Sequence, residues 1–334
     1  MSKAYSARFN ERRASVARMA GQPRPRRTVV SVAAALCLAA AVAGCDSQPS
    51  STSQSTVAAA QETTTSAPSP TETSTATTTA RHLVNANPGK FSPKDFGAPT
   101  GNANTWFPLV PGNQALRDGT LFRGHRELHH RRRTTVTDVV KEVNGVRTVL
   151  VLDQDIDAGQ IAEQAVDYFA QDKNGNVWYL GSYTEAYEGG QFVNANDAWL
   201  AGVNGATAGV AMMADPKPGQ PSYLQARIPG RETLTAAVAK RGQSKCVPFR
   251  CFSNTLAVLE AGTEFKYYAP GVGDIATEPN YSGGEQEKEA LVNVIQLTPK
   301  GLAEFSAQAL ELDQHARTTA SGVFGRSAPA KRSA

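Results

Sequence analysis

The sequence predicts a mainly β fold, an antiparallel β-sandwich or barrel-like domain with one C-terminal helix, and three observations carry that expectation. Runs of β-branched and aromatic residues recur between about Trp106 and Gln296. Turn residues such as Asn144-Gly145 and Lys173-Asn174-Gly175 separate them at the spacing of short antiparallel strands. Apolar residues take helical spacing only near the end, at Leu302, Phe305, Ala309, Leu310 and Leu312.

In chain order, the first element is an address. Lys3, Arg8, Arg12, Arg13, Arg18, Arg24, Arg26 and Arg27 precede the apolar stretch Thr28–Gly44, TVVSVAAALCLAAAVAG. A basic region, a short apolar region and small residues make up an export signal, and the stretch is shorter and richer in alanine than a stable membrane span requires. Val42-Ala43-Gly44-Cys45 resembles the bacterial lipobox. That resemblance implies cleavage before Cys45 and a lipid on its thiol, with residues 1–44 as signal peptide and the cell membrane, on its extracytoplasmic face, as the location. Two or more acyl chains anchor stably because each buried methylene contributes about 0.8 kcal/mol. Arg26-Arg27 also resembles a twin-arginine signal, so the export route stays open. Loss of the first 44 residues removes eight positive charges and one negative, turning the net +4 of the whole chain into −3 and leaving nucleic acid no electrostatic claim as a partner.

Residues 45–104 read as a disordered Ser/Thr/Pro-rich tether, too poor in large apolar side chains to offset chain entropy. The globular domain is expected over 105–317. Thr134–Val143 and Val146–Leu152 form a hairpin about Asn144-Gly145, and Asp167–Gln171 and Asn176–Gly181 form a second. Further strands are expected at Tyr223–Arg227, Thr233–Ala239, Thr255–Leu259, Glu264–Ala269 and Glu289–Gln296. Thr298 as N-cap and Pro299 at the first helical position start the helix, and residues 318–334 read as a flexible tail.

Candidate sites are few. Cys246 and Cys251 are the cysteine pair left in the folded region, and across a four-residue loop in an exported chain they read as a disulfide. Asp153, Asp155 and Asp157 alternate at a strand end like the start of a calcium loop, but Ala158 stands where the turn glycine belongs and Gln164 where a closing Glu is needed. A solvated hairpin end is the plainer expectation. The stretch Arg123–Arg133 holds His125, His129 and His130 among arginines. Without a nearby cysteine or acidic partner it does not read as a zinc site. An edge strand whose charges discourage pairing, or a polyanion- or lipid-surface patch, fits it better. Trp106, Trp178, Trp199, Tyr179, Tyr183, Tyr187, Tyr267 and Tyr268 read as cross-strand core first and as a carbohydrate or lipid face second.

Four segments in order carry a likeness: Trp106–Gly112 (WFPLVPG), Ala170–Tyr179 (AQDKNGNVWY), Met213–Pro216 and Tyr267–Gly273 (YYAPGVG). Together they resemble a family of uncharacterised actinobacterial exported lipoproteins. The chain departs from the family's Val-Pro-x-Gly-x-Phe turn at Cys246–Cys251 and in the basic stretch before Thr134. The resemblance implies a β domain outside the cytoplasm and no established reaction. With no nucleophile motif, phosphate loop or marked carboxylate pair, the expectation is a protein that is not an enzyme, needs no cofactor and holds no metal. It would bind an envelope lipid, glycan or protein; a structural or assembly role and an unrecognised hydrolase are the alternatives.

Overall fold

Hairpins follow one another along the chain in the computed structural model, which describes residues 89–97, 104–123, 125–282 and 285–333. The export signal, Cys45 and the tether up to residue 88 lie outside the described residues. The first four long strands are β1 (Asn113–Arg123), β2 (Arg126–Val143), β3 (Val146–Asp157) and β4 (Gln160–Gln171). Asn144 and Gly145 turn β2 into β3 with φ of 49° and 74°, the left-handed pair that a type I′ turn demands. After β5 (Val177–Glu188) the chain makes two shorter strands, β6 (Gln191–Leu200) and β7 (Thr207–Met212). These share one side of β5: β6 pairs with Gly181–Glu188 and β7 with Val177–Tyr179. They act as one stave broken at residues 201–206.

The meander continues through β8 (Tyr223–Arg227), β9 (Leu234–Cys246), β10 (Cys251–Glu260), β11 (Glu264–Ala269), β12 (Gly273–Pro279) and β13 (Glu285–Gln296). Because β1 pairs along its length with both β2 and β13, the sheet closes into a 12-stranded antiparallel barrel. The fold is therefore the barrel and not the sandwich of the two expected forms. Pairing of the first strand with the last satisfies the backbone groups that a sandwich would leave on two open edges. At the β9–β10 turn Cys246 and Cys251 stand opposite each other, 3.8 Å apart at Cα and joined as a disulfide.

Helix α1 (Pro299–Thr319) begins where Thr298 accepts a hydrogen bond from the Gly301 amide and packs outside the barrel on β2 to β6. It buries Ala309, Leu312 and Ala316 in the main apolar core, which also takes in Leu150, Leu152, Val166 and Tyr168. The segment after it is not a flexible tail. A short helix α2 (Ser321–Phe324) buries Phe324, and β14 (Lys331–Arg332) pairs with Val139 and Val140 of β2. The reason is a fully buried ammonium: Lys141 Nζ lies 2.9 Å from Asp313 Oδ1 and donates to the Ala328 carbonyl, so the charge that α1 covers also holds the segment beyond it.

The expected tether likewise ends sooner than its composition implied. Phe91 and Phe96 meet the ring of Trp178 at centroid separations of 5.7 and 6.0 Å, and Phe96 forms a β-bridge with Asp172. Asn104, also placed in the tether, is buried and donates to the carbonyls of Gly175 and Met213.

Candidate functional site

Inside the barrel, side chains divide into a partly apolar mouth and a charged plug. The mouth is built by segments far apart in sequence. Asn104 Oδ1 accepts from the amides of Trp106 and Phe107, which turns Trp106–Val110 across the end of the barrel. The Thr105 carbonyl then accepts from the Gly271 amide in the β11–β12 turn. The β4–β5 turn is held by Asp172, whose carboxylate accepts from the Asn174 and Asn176 amides, Asn176 Nδ2 and Trp178 Nε1 at 2.8–2.9 Å. Asn176 Oδ1 in turn accepts from the Ala214 amide. Of the aromatic residues expected as core, Trp106, Trp178, Trp199, Tyr179, Tyr183 and Tyr268 are buried, and Tyr187 and Tyr267 are half-buried. Phe169 stacks on Tyr179 with centroids 5.0 Å apart, and Phe107 tilts against Phe169 at 5.1 Å.

Between these segments lies a cavity of about 110 Å³. Phe107, Pro108, Val136, Val151, Phe169, Val272 and Val294 form its apolar wall, and Arg117, Arg132, Asp153, Asp167, Lys266 and Asp274 its charged floor. A dry cavity of roughly 150 Å³ takes a benzene ring, so the space suits one end of a small molecule.

Below the floor the lumen is filled by ion-paired side chains. Arg117 Nε lies 2.9 Å from Glu289 Oε1, and Arg132 Nε 2.7 Å from Asp155 Oδ1. Arg132 Nη1 also lies 3.0 Å from Glu287 Oε1 and 3.3 Å from Glu289 Oε1. His130 Nδ1 meets Asp157 Oδ1 at 2.8 Å. Asp153, Asp155 and Asp157 therefore do not form a solvated hairpin end. Strand alternation aims all three into the barrel, where Thr134, Arg132 and His130 of the adjoining β2 meet them. Nor is the basic stretch an edge strand at its inner end: His130–Arg133 pair with β1 on one side and β3 on the other, and His130 and Arg132 are each 2% exposed. His129, of opposite parity, stays outside and pairs with Asp118.

Burial opposes charge throughout this network. It disfavours the His130 imidazolium, yet Glu287, Asp157 and Glu289 together hold its pKa well above the usual histidine range. Burial also works against the Glu289 carboxylate, but Arg132 and Arg117 keep it well below the normal carboxyl value. Glu287 goes the other way, raised by burial and by repulsion from Glu289 despite Arg132. Asp153 and Asp274 are raised as well, chiefly by burial. Among the described residues, His130, Glu287 and Glu289 form a group able to hold a metal ion, with ligand atoms all within 4.8 Å of one another. Sequence reading missed this group because its acids sit on β13, more than 150 positions from His130.

The fold and lumen define a closed antiparallel β-barrel with an interior of ion-paired side chains and a small mouth cavity. No family model and no curated protein matches the chain. Three solved structures are similar at low identity. A protein of Bacteroides fragilis, described as exported and of YmcC-like fold, shares 14% identity over 57% of this chain and 99% of its own, with a TM-score of 0.32. A protein of Parabacteroides distasonis described as a lipoprotein shares 14% over 57% and 99%, with a TM-score of 0.25. A β-barrel-like protein of Brucella abortus, from a domain family of unknown function, shares 12% over 56% and 98%, at 0.29. Scores of this size do not extend to a shared activity.

Proposed function

We propose that this chain is a membrane-anchored extracytoplasmic lipoprotein whose barrel binds one end of an envelope ligand at its mouth, without catalysis. One observation carries the reading. The segments that resemble the exported-lipoprotein family converge on the mouth cavity: Phe107 and Pro108 from WFPLVPG, and Tyr268, Gly271, Val272 and Gly273 from YYAPGVG. AQDKNGNVWY stands beside them and fixes the turn against which Asn104 folds. An apolar wall above Arg117 and Lys266 suits an amphipathic ligand, its polar group on the floor and its carbon skeleton at the rim. The lipid on Cys45 holds the domain at the bilayer where such ligands reside.

Two measurements test the reading. Cys45→Ala moves the protein from the membrane to the soluble fraction, and unchanged membrane retention refutes the anchor. Native mass spectrometry of protein from its own cells finds a retained small molecule; a chain of bare protein mass argues for protein contacts instead. That second reading has its own support in β6. Among the described residues the strand pairs only with β5, and it exposes Phe192 and Val193 to 42% and 37%, a face open to a protein partner.

A further inference from the structure

The charged plug holds more acid than base, and at one point three of its ligand atoms converge without a hydrogen bond. His130 Nε2, Glu287 Oε1 and Glu289 Oε2 are buried and none of them makes one, although Glu287 Oε1 is ion-paired with Arg132 Nη1 at 3.0 Å. Nε2 lies 3.6 Å from each of the two carboxylate oxygens, beyond hydrogen-bond contact. A tetrahedral ion with bonds of about 2.0–2.2 Å spaces its ligands about 3.3–3.6 Å apart. These two separations are thus wrong for a hydrogen bond and right for a shared cation, and the two carboxylate oxygens stand within 4.8 Å of each other.

The surroundings are those of a metal ligand set. His130 Nδ1 is engaged by Asp157 at 2.8 Å, the carboxylate–histidine arrangement that orients an imidazole and raises its basicity toward an ion. Arg117 and Arg132 both take Glu289 Oε1, which leaves Oε2 turned toward His130. Gly119 of β1 stands directly across from His130 on one side and Glu289 on the other, so no side chain intrudes between the two ligands.

We infer that His130, Glu287 and Glu289 form a binding site for a divalent transition-metal ion inside the barrel, with Asp157 as the orienting partner of the histidine. One imidazole nitrogen with two carboxylates suits zinc, manganese or ferrous iron, and three protein ligands leave a fourth position for water. The ion replaces the proton on Nε2, which leaves as the metal binds. It shares Glu287 with Arg132, whose Nη2 holds Oε2 at 3.1 Å and whose Nη1 stands 3.0 Å from the ligating Oε1. The site lies below the mouth cavity and does not depend on what the mouth takes.

The test uses the full chain, stripped with a chelator and re-supplied with Zn²⁺ or Mn²⁺ alone, then dialysed and assayed for bound metal. One ion per chain is expected. Added Co²⁺ develops the visible absorption of nitrogen–oxygen coordination in the unmutated protein, so the result does not hang on a variant that fails to fold. His130→Gln removes stoichiometric binding, Asp157→Asn weakens it about 10–100-fold, and His129→Gln on the outer face leaves it unchanged. A folded unmutated chain that retains no ion, or a folded His130→Gln chain that binds as well as the parent, overturns the assignment.

Discussion

Gly119 of β1 lies directly across the ladder from His130 of β2 and, on its other side, from Glu289 of β13. A methyl group at this position would stand 1.9 Å from the Lys288 carbonyl oxygen and 2.7 Å from Glu289 Cα. Both contacts are to β13 backbone, which has no rotamer through which to escape. Gly119→Ala is therefore expected to force β1 and β13 apart and to cost about 1–3 kcal/mol, read as a lowered denaturant midpoint. An unchanged midpoint would mean that the barrel seam is looser than the register shows.

Asp172 organises the β4–β5 turn through four accepted hydrogen bonds. Asp172→Ala leaves buried donors on Asn176 and Trp178 without their acceptor, at about 1–3 kcal/mol for each such group. The expected signs are a lowered melting temperature and a changed tryptophan emission. Asp172→Asn, which keeps an acceptor, should fall between the two.

Lys141 is fully buried between Asp313, the Ala328 carbonyl and the Phe324 ring, and Asp313 also accepts from the Tyr168 hydroxyl at 2.7 Å. Lys141→Met strands the Asp313 carboxylate and is expected to cost about 3–5 kcal/mol. It should also release residues 320–333 to protease. The double change Lys141→Met with Asp313→Leu recovers part of the loss, because no lone charge then remains; a double variant as weak as the single one would contradict this account.

Asp138 ties β14 to the barrel, accepting from Arg332 and from Ser306 Oγ. Burial disfavours its charge, but these bonds win and hold its pKa below the ordinary aspartate value of 3.8. A carboxyl depressed in the folded state stabilises the fold above its unfolded pKa, and that contribution fades as pH falls through the folded one. The tail should therefore stay docked at pH 5 and loosen below about pH 3.8. Carboxyl-carbon shifts of Asp138 would follow the titration, and Asp138→Asn should abolish this part of the pH dependence.

The Cys246–Cys251 bridge closes a loop of only four intervening residues. Reduction should cost about 2 kcal/mol or less, because so short a loop restricts the unfolded chain less than the ~3 kcal/mol case of a 15-residue loop. Intact mass with reductant should rise by two hydrogens, and an equal mass in both states would count against the bridge.

Local chemistry made much of the barrel legible from sequence. Asn144-Gly145 marked its turn because only a few residues tolerate left-handed φ, and Tyr223–Arg227 and Glu264–Ala269 stood out at their observed bounds as short runs with aromatic residues between turn residues. Thr298-Pro299 marked the helix start for an equally local reason. β1 escaped notice because Arg117, Asp118 and Gly119 interrupt its apolar pattern, and β6 because Asn194, Asn196 and Asp197 break up its apolar residues. The middle of β1 answers to a charged lumen and the start of β6 to solvent, while the end of β6, Trp199 and Leu200, joins the apolar core.

What the sequence by itself determined is thus each short-range event: the turns, the alternating strands, the helix cap and the spacing of the cysteine pair. Only the tertiary structure decided that the strands close into one ring, that Asp153, Asp155 and Asp157 face inward, and that His130 meets Glu287 and Glu289. Closure depends on β1 finding β13 across most of the domain, and a side chain's charge partners depend on which strands become neighbours. Neither is written in any window of residues, because burial that turns a basic run into a lumen is a property of the closed sheet alone.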